Sequence, residues 1–391
     1  MKIDKNIIFV GNPAPGELVE SGKVSTVSIA DNIAQNTIIR GLHKYYEKRL
    51  TVISVSSEKS QTSVSLGDGV EALTISSSRL NRVFYYLSIM INYTKKLNRI
   101  FKSIQDKNTI IITSGPYIYV ALPAMIARWR YGAKWVPFLV GAIEVPEEKF
   151  PYSLISKLSR PIVRKADGVI TYVSKSATDY MPGKPFVEIF YIIDFQLMEV
   201  YRKFKPEKPK KLTIAYTGTL SDIYNIGVVI EVIKKTGDKY HWVFAGSGKY
   251  AEKIKELANN ENYDVEYLGI ISNIEAIKLQ KTCHLLLCLK GGDSRINQYY
   301  GKYAASGKLI EYLCSGTPIL AGDILAFSNK IKPFISCEIN LSVKQIENAI
   351  EMISLNYNEK LKLAHDGQKY AFKYFTADYQ DKIIYEFLEK L

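Results

Sequence analysis

The sequence predicts an α/β protein made of two doubly wound parallel-sheet domains. Three observations carry that prediction. Apolar runs of strand length alternate with amphipathic segments of helix length. Several of those runs end in glycine. A charged, proline-bearing stretch at 201–211 divides the alternation into two halves that begin on the same plan. At 391 residues the chain exceeds one ordinary domain. Its 47% hydrophobic and 23% charged content suits large cores in a soluble protein. No apolar run has the length needed to span a bilayer.

The first half opens with Asn6 to Val10, a strand-like run that enters the turn Gly11-Asn12-Pro13-Ala14-Pro15-Gly16. This start lacks the form of a signal peptide. A helix is expected over 27–46 and a strand over 50–56. Strands follow at 109–113, 134–140, 168–173 and 186–193, with helices at 117–129, 152–165 and after Ser174 between them. Ligands of such sheets sit beyond the carboxyl ends of the strands. The loops at 12–23, 114–117 and 141–148 therefore face any cleft.

The linker is expected at 201–211, the second domain at 212–375, and a closing helix at 376–391 packing back on the first domain, residues 1–200. In the second half, four strands each run into glycine: 212–216 into Gly218, 241–245 into Gly246, 265–268 into Gly269 and 283–289 into Gly291. Glycine lets backbone N–H groups approach a ligand closely.

Ser306 to Ala321 reads as a short helix and then a buried strand. Ser306 suits an N-cap; Leu309, Ile310 and Leu313 form an apolar stripe; Gly316 and Pro318 end the helix. Lys308 sits in the first turn, where the helix dipole disfavours a cation unless an anion shares the site. Glu311 follows one turn later. The pair is either a surface ion pair of a few tenths of a kcal/mol or two parts of a phosphate-and-diol site.

The ordered set Thr217-Gly218-Thr219-Leu220, Phe244-Ala245-Gly246-Ser247-Gly248, Tyr267-Leu268-Gly269 and Ser306-Gly307-Lys308-Leu309-Ile310-Glu311-Tyr312-Leu313-x-x-Gly316-x-Pro318 resembles glycosyltransferase family 4. These are the glycosyl transferases of group 1, with the GT-B architecture of two Rossmann-like domains facing a cleft. The resemblance covers most of the second half and implies transfer of a sugar from a nucleotide-diphosphate donor, UDP- or GDP-sugar foremost. It places the donor on the second domain and the acceptor on the first. Carried over, Glu311 binds the ribose hydroxyls, and Lys308 with the N–H groups at Ser306 and Gly307 binds the diphosphate. Gly218 and Thr219 contact phosphates or sugar, while Gly246, Ser247, Gly269 and Ile270 line the nucleobase pocket. Retention of anomeric configuration is likewise implied by the resemblance.

There are departures. Many family members carry a second glutamate eight positions before the first, where this chain has Tyr303. Many also carry an Arg and a Lys soon after the first glycine turn, and Leu220 to Gly227 contains neither. That leaves Lys308 as the main cation on the leaving group, with Lys249, Lys290 and Arg295 in reserve. Arg295 ends a glycine-bearing loop suited to folding over the donor sugar. Glu144, at a strand end, is the candidate acceptor contact. His43, His241, His284 and His365 read as structural. No Asp-x-Asp clamp occurs, so metal independence is expected, with no cofactor besides the donor.

The formal net charge is +13 and uneven: residues 1–195 hold 25 Lys+Arg against 16 Asp+Glu, the remainder 27 against 23. Residues 79–102 combine Arg79, Arg82, Lys95, Lys96, Arg99 and Lys102 with many aromatic and aliphatic side chains, with no acid between Glu71 and Asp106. Such a helix suits an anionic membrane surface, or is a crossover helix with a solvated basic face. Four cysteines without zinc-type spacing fit free thiols in the cytoplasm, and the basic 79–102 stretch extends that expectation to the inner face of the membrane. The function expected is sugar transfer to a lipid-linked or growing polysaccharide acceptor. The alternatives are a degenerate, scaffolding relative and a sugar-nucleotide epimerase of the same fold. No nucleic-acid module is present.

Overall fold

The computed structural model describes residues 5–15, 29–56, 62–76, 82–104, 108–141, 143, 152–291, 295–303, 306–322, 326 and 328–391. The chain divides into two compact units, Met1–Phe190 with Ala377–Leu391, and Tyr191–Thr376.

The first unit runs β1 (Asn6–Val10), α1 (Ile29–Tyr46), β2 (Leu50–Ser56), β3 (Ser63–Gly67), β4 (Val70–Ser76), α2 (Arg82–Ser103), β5 (Thr109–Ser114), α3 (Ile118–Tyr131), β6 (Lys134–Leu139), α4 (Tyr152–Val163), β7 (Val169–Thr171), α5 (Ser174–Tyr180) and β8 (Phe186–Glu188). Its sheet has the order β3-β4-β2-β1-β5-β6-β7-β8. β1 lies inside it, with Ile8 level with Thr51 on one side and Ile111 on the other. Ile7, Ile8, Phe9 and Val10 are wholly buried, as a strand covered on both faces must be.

The hairpin β3–β4 is absent from the expected order and makes one edge of the sheet antiparallel. It turns on Asp68-Gly69, both at positive φ (51° and 75°), the backbone a tight hairpin needs. Its Ser-rich first strand buries only Leu66, so its apolar alternation is faint.

α2 turns Ile89, Tyr93 and Leu97 inward, and the Tyr93 hydroxyl donates to the Gly11 carbonyl. Its outer face exposes Val83, Phe84, Leu87 and Ile91, then Lys95, Arg99 and Lys102. Arg79 and the side chain of Arg82 lie outside the described residues.

The second unit runs α6 (Phe195–Lys203), β9 (Thr213–Thr217), a 3-10 turn (Asp222–Tyr224), α7 (Ile226–Thr236), β10 (His241–Ala245), α8 (Ala251–Ala258), β11 (Val265–Gly269), α9 (Asn273–Thr282), β12 (Leu285–Cys288), α10 (Arg295–Tyr303), α11 (Gly307–Ser315), β13 (Ile319–Gly322), β14 (Cys337–Ile339), α12 (Val343–Leu355) and α13 (Tyr357–Tyr374). The sheet order is β11-β10-β9-β12-β13-β14, parallel throughout. Trp242, Phe244, Ile230 and Ile350 belong to its core.

The units do not divide at the expected linker. The break falls between Phe190 and Tyr191, and 201–211 belongs to the second unit. Asp194 caps α6 by accepting from the Gln196 and Leu197 amides, and Tyr201 is buried, its hydroxyl donating to Gln280 at 2.9 Å. Lys208 donates to the Lys281 and Cys283 carbonyls, so even the charged part is anchored.

The chain closes with α14 (Ala377–Lys390), which belongs to the first unit. There Tyr385 stacks on Tyr45 of α1 with ring centroids 4.5 Å apart, and Gln380 accepts from the Phe190 amide at 2.9 Å. Among the described residues no helix is long and apolar enough to cross a membrane.

Candidate active site

The second unit carries a pocket of about 300 Å³ at the carboxyl ends of β9, β10 and β11. Its wall includes Thr217, Gly218, Thr219, Gly246, Ser247, Ile270, Asn273, Ala276 and Glu311. Six of the ten sequence-assigned donor residues come into this site or its rim: Gly218, Thr219, Gly246, Ser247, Ile270 and Glu311.

The loops fold against each other through backbone. The Gly218 amide donates to Ala245, Leu220 to Ser247, and Gly246 to Gly269. Gly246 has φ 133°, and a Cβ there would overlap the Gly218 carbonyl. The close approach of these two turns therefore requires glycine. Gly269, at φ 67°, does its work behind the wall by accepting the Gly246 amide. Ile270 is 81% exposed, an apolar surface at the mouth.

α11 starts as the sequence predicts. Ser306 caps it, accepting from the Leu309 amide at 3.4 Å, and Gly316 ends it at φ 70°. Tyr312 fixes the helix to β9, its hydroxyl taking the Thr217 amide at 3.0 Å. Gln280 links the pieces. It donates to Thr217 Oγ1 at 3.1 Å, accepts from Tyr201, and lines a pocket together with Glu311. Glu311 itself opens onto the pocket lumen, while the surrounding protein desolvates it and raises its pKa against the lowering pull of Lys308 and Gln280.

Lys308 is not part of the pocket wall. Its aliphatic stem is half-buried and its ammonium fully so, lying 3.5 Å from the centroid of the Tyr216 ring and 3.9 Å from that of Tyr224. The ammonium abuts Gly218, within 3 Å of where a Cβ on that glycine would stand. Burial pulls its pKa down to about 7, with Cys288 and Glu311 opposing. Lys290 is also buried and is pushed down to about 8. Lys249 forms an ion pair with Asp222 at 2.8 Å. Arg295 opens α10 and is exposed. Glu144 lies outside the described residues, as do Gly292, Asp293 and Ser294 of the loop before Arg295.

Tyr216, Tyr224, Asn273 and Gln280 escape the sequence reading. Tyr216 sits in a strand run where an aromatic reads as core. Gln280 had a signal: it is a polar residue on the buried face of α9.

Residues 198–373 match the family described as glycosyl transferases group 1, nearly the whole second unit. No curated protein sequence matches at a significant level. Solved structures match over both units. Anabaena HepE in complex with UDP aligns over 99% of this chain and 100% of its own, with 15% identity and TM-score 0.62. The lipopolysaccharide outer core galactosyltransferase WaaB gives 99% and 100%, 15% identity and TM-score 0.66. Sucrose-phosphate synthase from Thermosynechococcus elongatus gives 98% and 98%, 11% identity and TM-score 0.65. The group 1 match over the second unit contains the ordered glycine turns and the capped helix, and the likeness along the whole length gives this chain the GT-B fold.

Proposed function

We propose that the chain transfers a sugar from a UDP- or GDP-sugar to a lipid-linked or growing polysaccharide acceptor in cell-surface polysaccharide biosynthesis, with retention and without a metal. The observation that carries the reading is the pairing of Glu311, on the pocket wall, with the N-terminus of its own helix α11 and the nearby Lys308 ammonium. A nucleoside diphosphate needs those parts: an acceptor for ribose hydroxyls, and donors and positive charge for phosphate. The mouth formed by Ile270 suits a base. Structures of HepE are described with UDP and with UDP-glucose, and WaaB is named for lipopolysaccharide. Their fold likeness supports this donor and acceptor class.

In the reaction the sugar C1–O bond breaks and negative charge grows on the departing diphosphate. Lys308 and the first free N–H groups of α11 meet that charge, which is the main way such a site lowers the barrier. Arg295 is assigned to the donor sugar and Glu144 to the acceptor. The missing Asp-x-Asp clamp supports metal independence.

The acceptor reading is supported by α2. Its outer face, apolar at Phe84, Leu87 and Ile91 and basic at Lys95, Arg99 and Lys102, suits an anionic bilayer at the inner membrane face. Incubation with UDP- and GDP-sugars, with and without a membrane lipid fraction, separates the readings. Release of nucleoside diphosphate only when acceptor lipid is present is the expected result. Epimerised donor without acceptor identifies an epimerase, and no binding of any nucleoside diphosphate identifies a scaffold.

A further inference from the structure

Lys308 holds an ammonium group with almost no accessible surface and no hydrogen-bond partner among the described residues. Burying an unpaired ammonium is costly, so its surroundings call for a reason. What surrounds it is two tyrosine rings, both well inside the roughly 6 Å reach of a cation–π contact.

Each ring is held independently of the lysine. Tyr216 is buried in β9, and its hydroxyl donates to the Thr219 carbonyl at 2.6 Å. Tyr224 meets it edge-on, centroids 6.0 Å apart, from the 3-10 turn Asp222–Tyr224. That turn is pinned at both ends. Asp222 is held by Lys249 and Tyr250. Asn225, at φ 53°, donates to the carbonyls of Leu289 and Gly291 at 2.7 and 2.8 Å.

A ring face attracts a cation without taking up its N–H bonds or cancelling its charge; a carboxylate would do both. We propose that Tyr216 and Tyr224 are positioning residues, whose ring faces hold the Lys308 ammonium uncommitted beside Gly218 so that the donor diphosphate becomes its counter-ion. This rests on the donor-site reading and assigns residues that the reading leaves without a role. The stretch Leu220 to Gly227, which lacks the Arg and Lys of many family members, supplies Tyr224 instead. It steers one lysine where the others add cations.

The other charged or titratable groups that act on the ammonium are Glu311 from its own helix and Cys288 and Lys290 from β12 and its exit. With the group held near pKa 7 in the free protein, an entering diphosphate draws a proton onto it. Affinity then weakens as pH rises above neutral.

The test is calorimetric titration with UDP, and with GDP in parallel, between about pH 6 and 9, where the free lysine changes charge. Wild type is compared with Tyr224→Phe, Tyr224→Leu and protein carrying a ring-fluorinated phenylalanine at 224. Phenylalanine is expected within about twofold of wild type with the same pH inflection, and leucine about tenfold weaker with the inflection displaced to alkaline pH as water reaches the ammonium. Ring fluorination, which drains the π face at nearly constant shape, is expected to weaken binding, and it answers the question even if the leucine variant does not fold. A leucine variant with wild-type affinity and inflection, or a fluorinated ring that binds as tightly as phenylalanine, overturns the positioning role alone. Wild-type protein that binds neither nucleotide overturns the donor-site reading and this role with it.

Discussion

Glu311 carries more of the donor site than any other side chain, because it lines the pocket wall and stands beside Gln280. Glu311→Gln keeps the shape and removes the charge that accepts a ribose diol. It is expected to lower kcat/KM about 100-fold, as charge-assisted bonds allow, in steady-state kinetics with the identified donor. The raised carboxyl also sets an acid limb in kcat/KM above the ordinary carboxylate range, and the glutamine variant should lose it. Both Glu311 and Lys308 are legible in the sequence, since a lysine in the first turn of a capped helix is locally unfavourable and calls for an anion. The lysine's actual neighbours are not legible. Tyr216 and Tyr224 are eight residues apart across a turn, and only the folded β9 and the Asn225 anchor bring both rings to one ammonium.

Loops and caps decide the next scale up. The glycine turns after β9 and β10 interlock so closely that Gly246→Ala must displace the Gly218 carbonyl as well as adopt a φ of 133°. A loss of about 3 kcal/mol or more in urea unfolding is expected, with loss of nucleotide binding under conditions where the variant stays folded. The glycines announced these turns in the sequence; that two of them touch was not visible, because nothing local couples 218 to 246. Residues 201–211 show the opposite failure. Lysines and prolines suggested a linker, yet Asp194 starts a helix whose Met198 and Tyr201 face inward. Asp194→Ala is expected to cost about 1 kcal/mol of second-unit stability, measured by thermal unfolding, as for other N-caps. The β3–β4 hairpin went unread although Asp68-Gly69 is a turn signal, because one buried leucine gives its first strand little alternation.

At the scale of the molecule, the two-fold repetition of a parallel sheet was legible from alternation alone, and the second unit's likeness to the group 1 glycosyl transferases from its ordered motifs. The charge imbalance finds a physical place on α2, where lysine and arginine continue an exposed apolar stripe. Lys95→Glu with Arg99→Glu and Lys102→Glu is expected to weaken co-sedimentation with phosphatidylglycerol vesicles about 100-fold or more, at roughly 1 kcal/mol per basic side chain lost. Unchanged sedimentation would assign that face to water. Donor binding belongs to the other unit, and a crystal structure of the protein soaked with the nucleoside diphosphate that binds it tests that placement. The base is expected against Ile270, the ribose hydroxyls on Glu311, and the diphosphate at the N-terminus of α11 within reach of Lys308. A nucleotide bound elsewhere, or one whose ribose leaves Glu311 untouched, would contradict it.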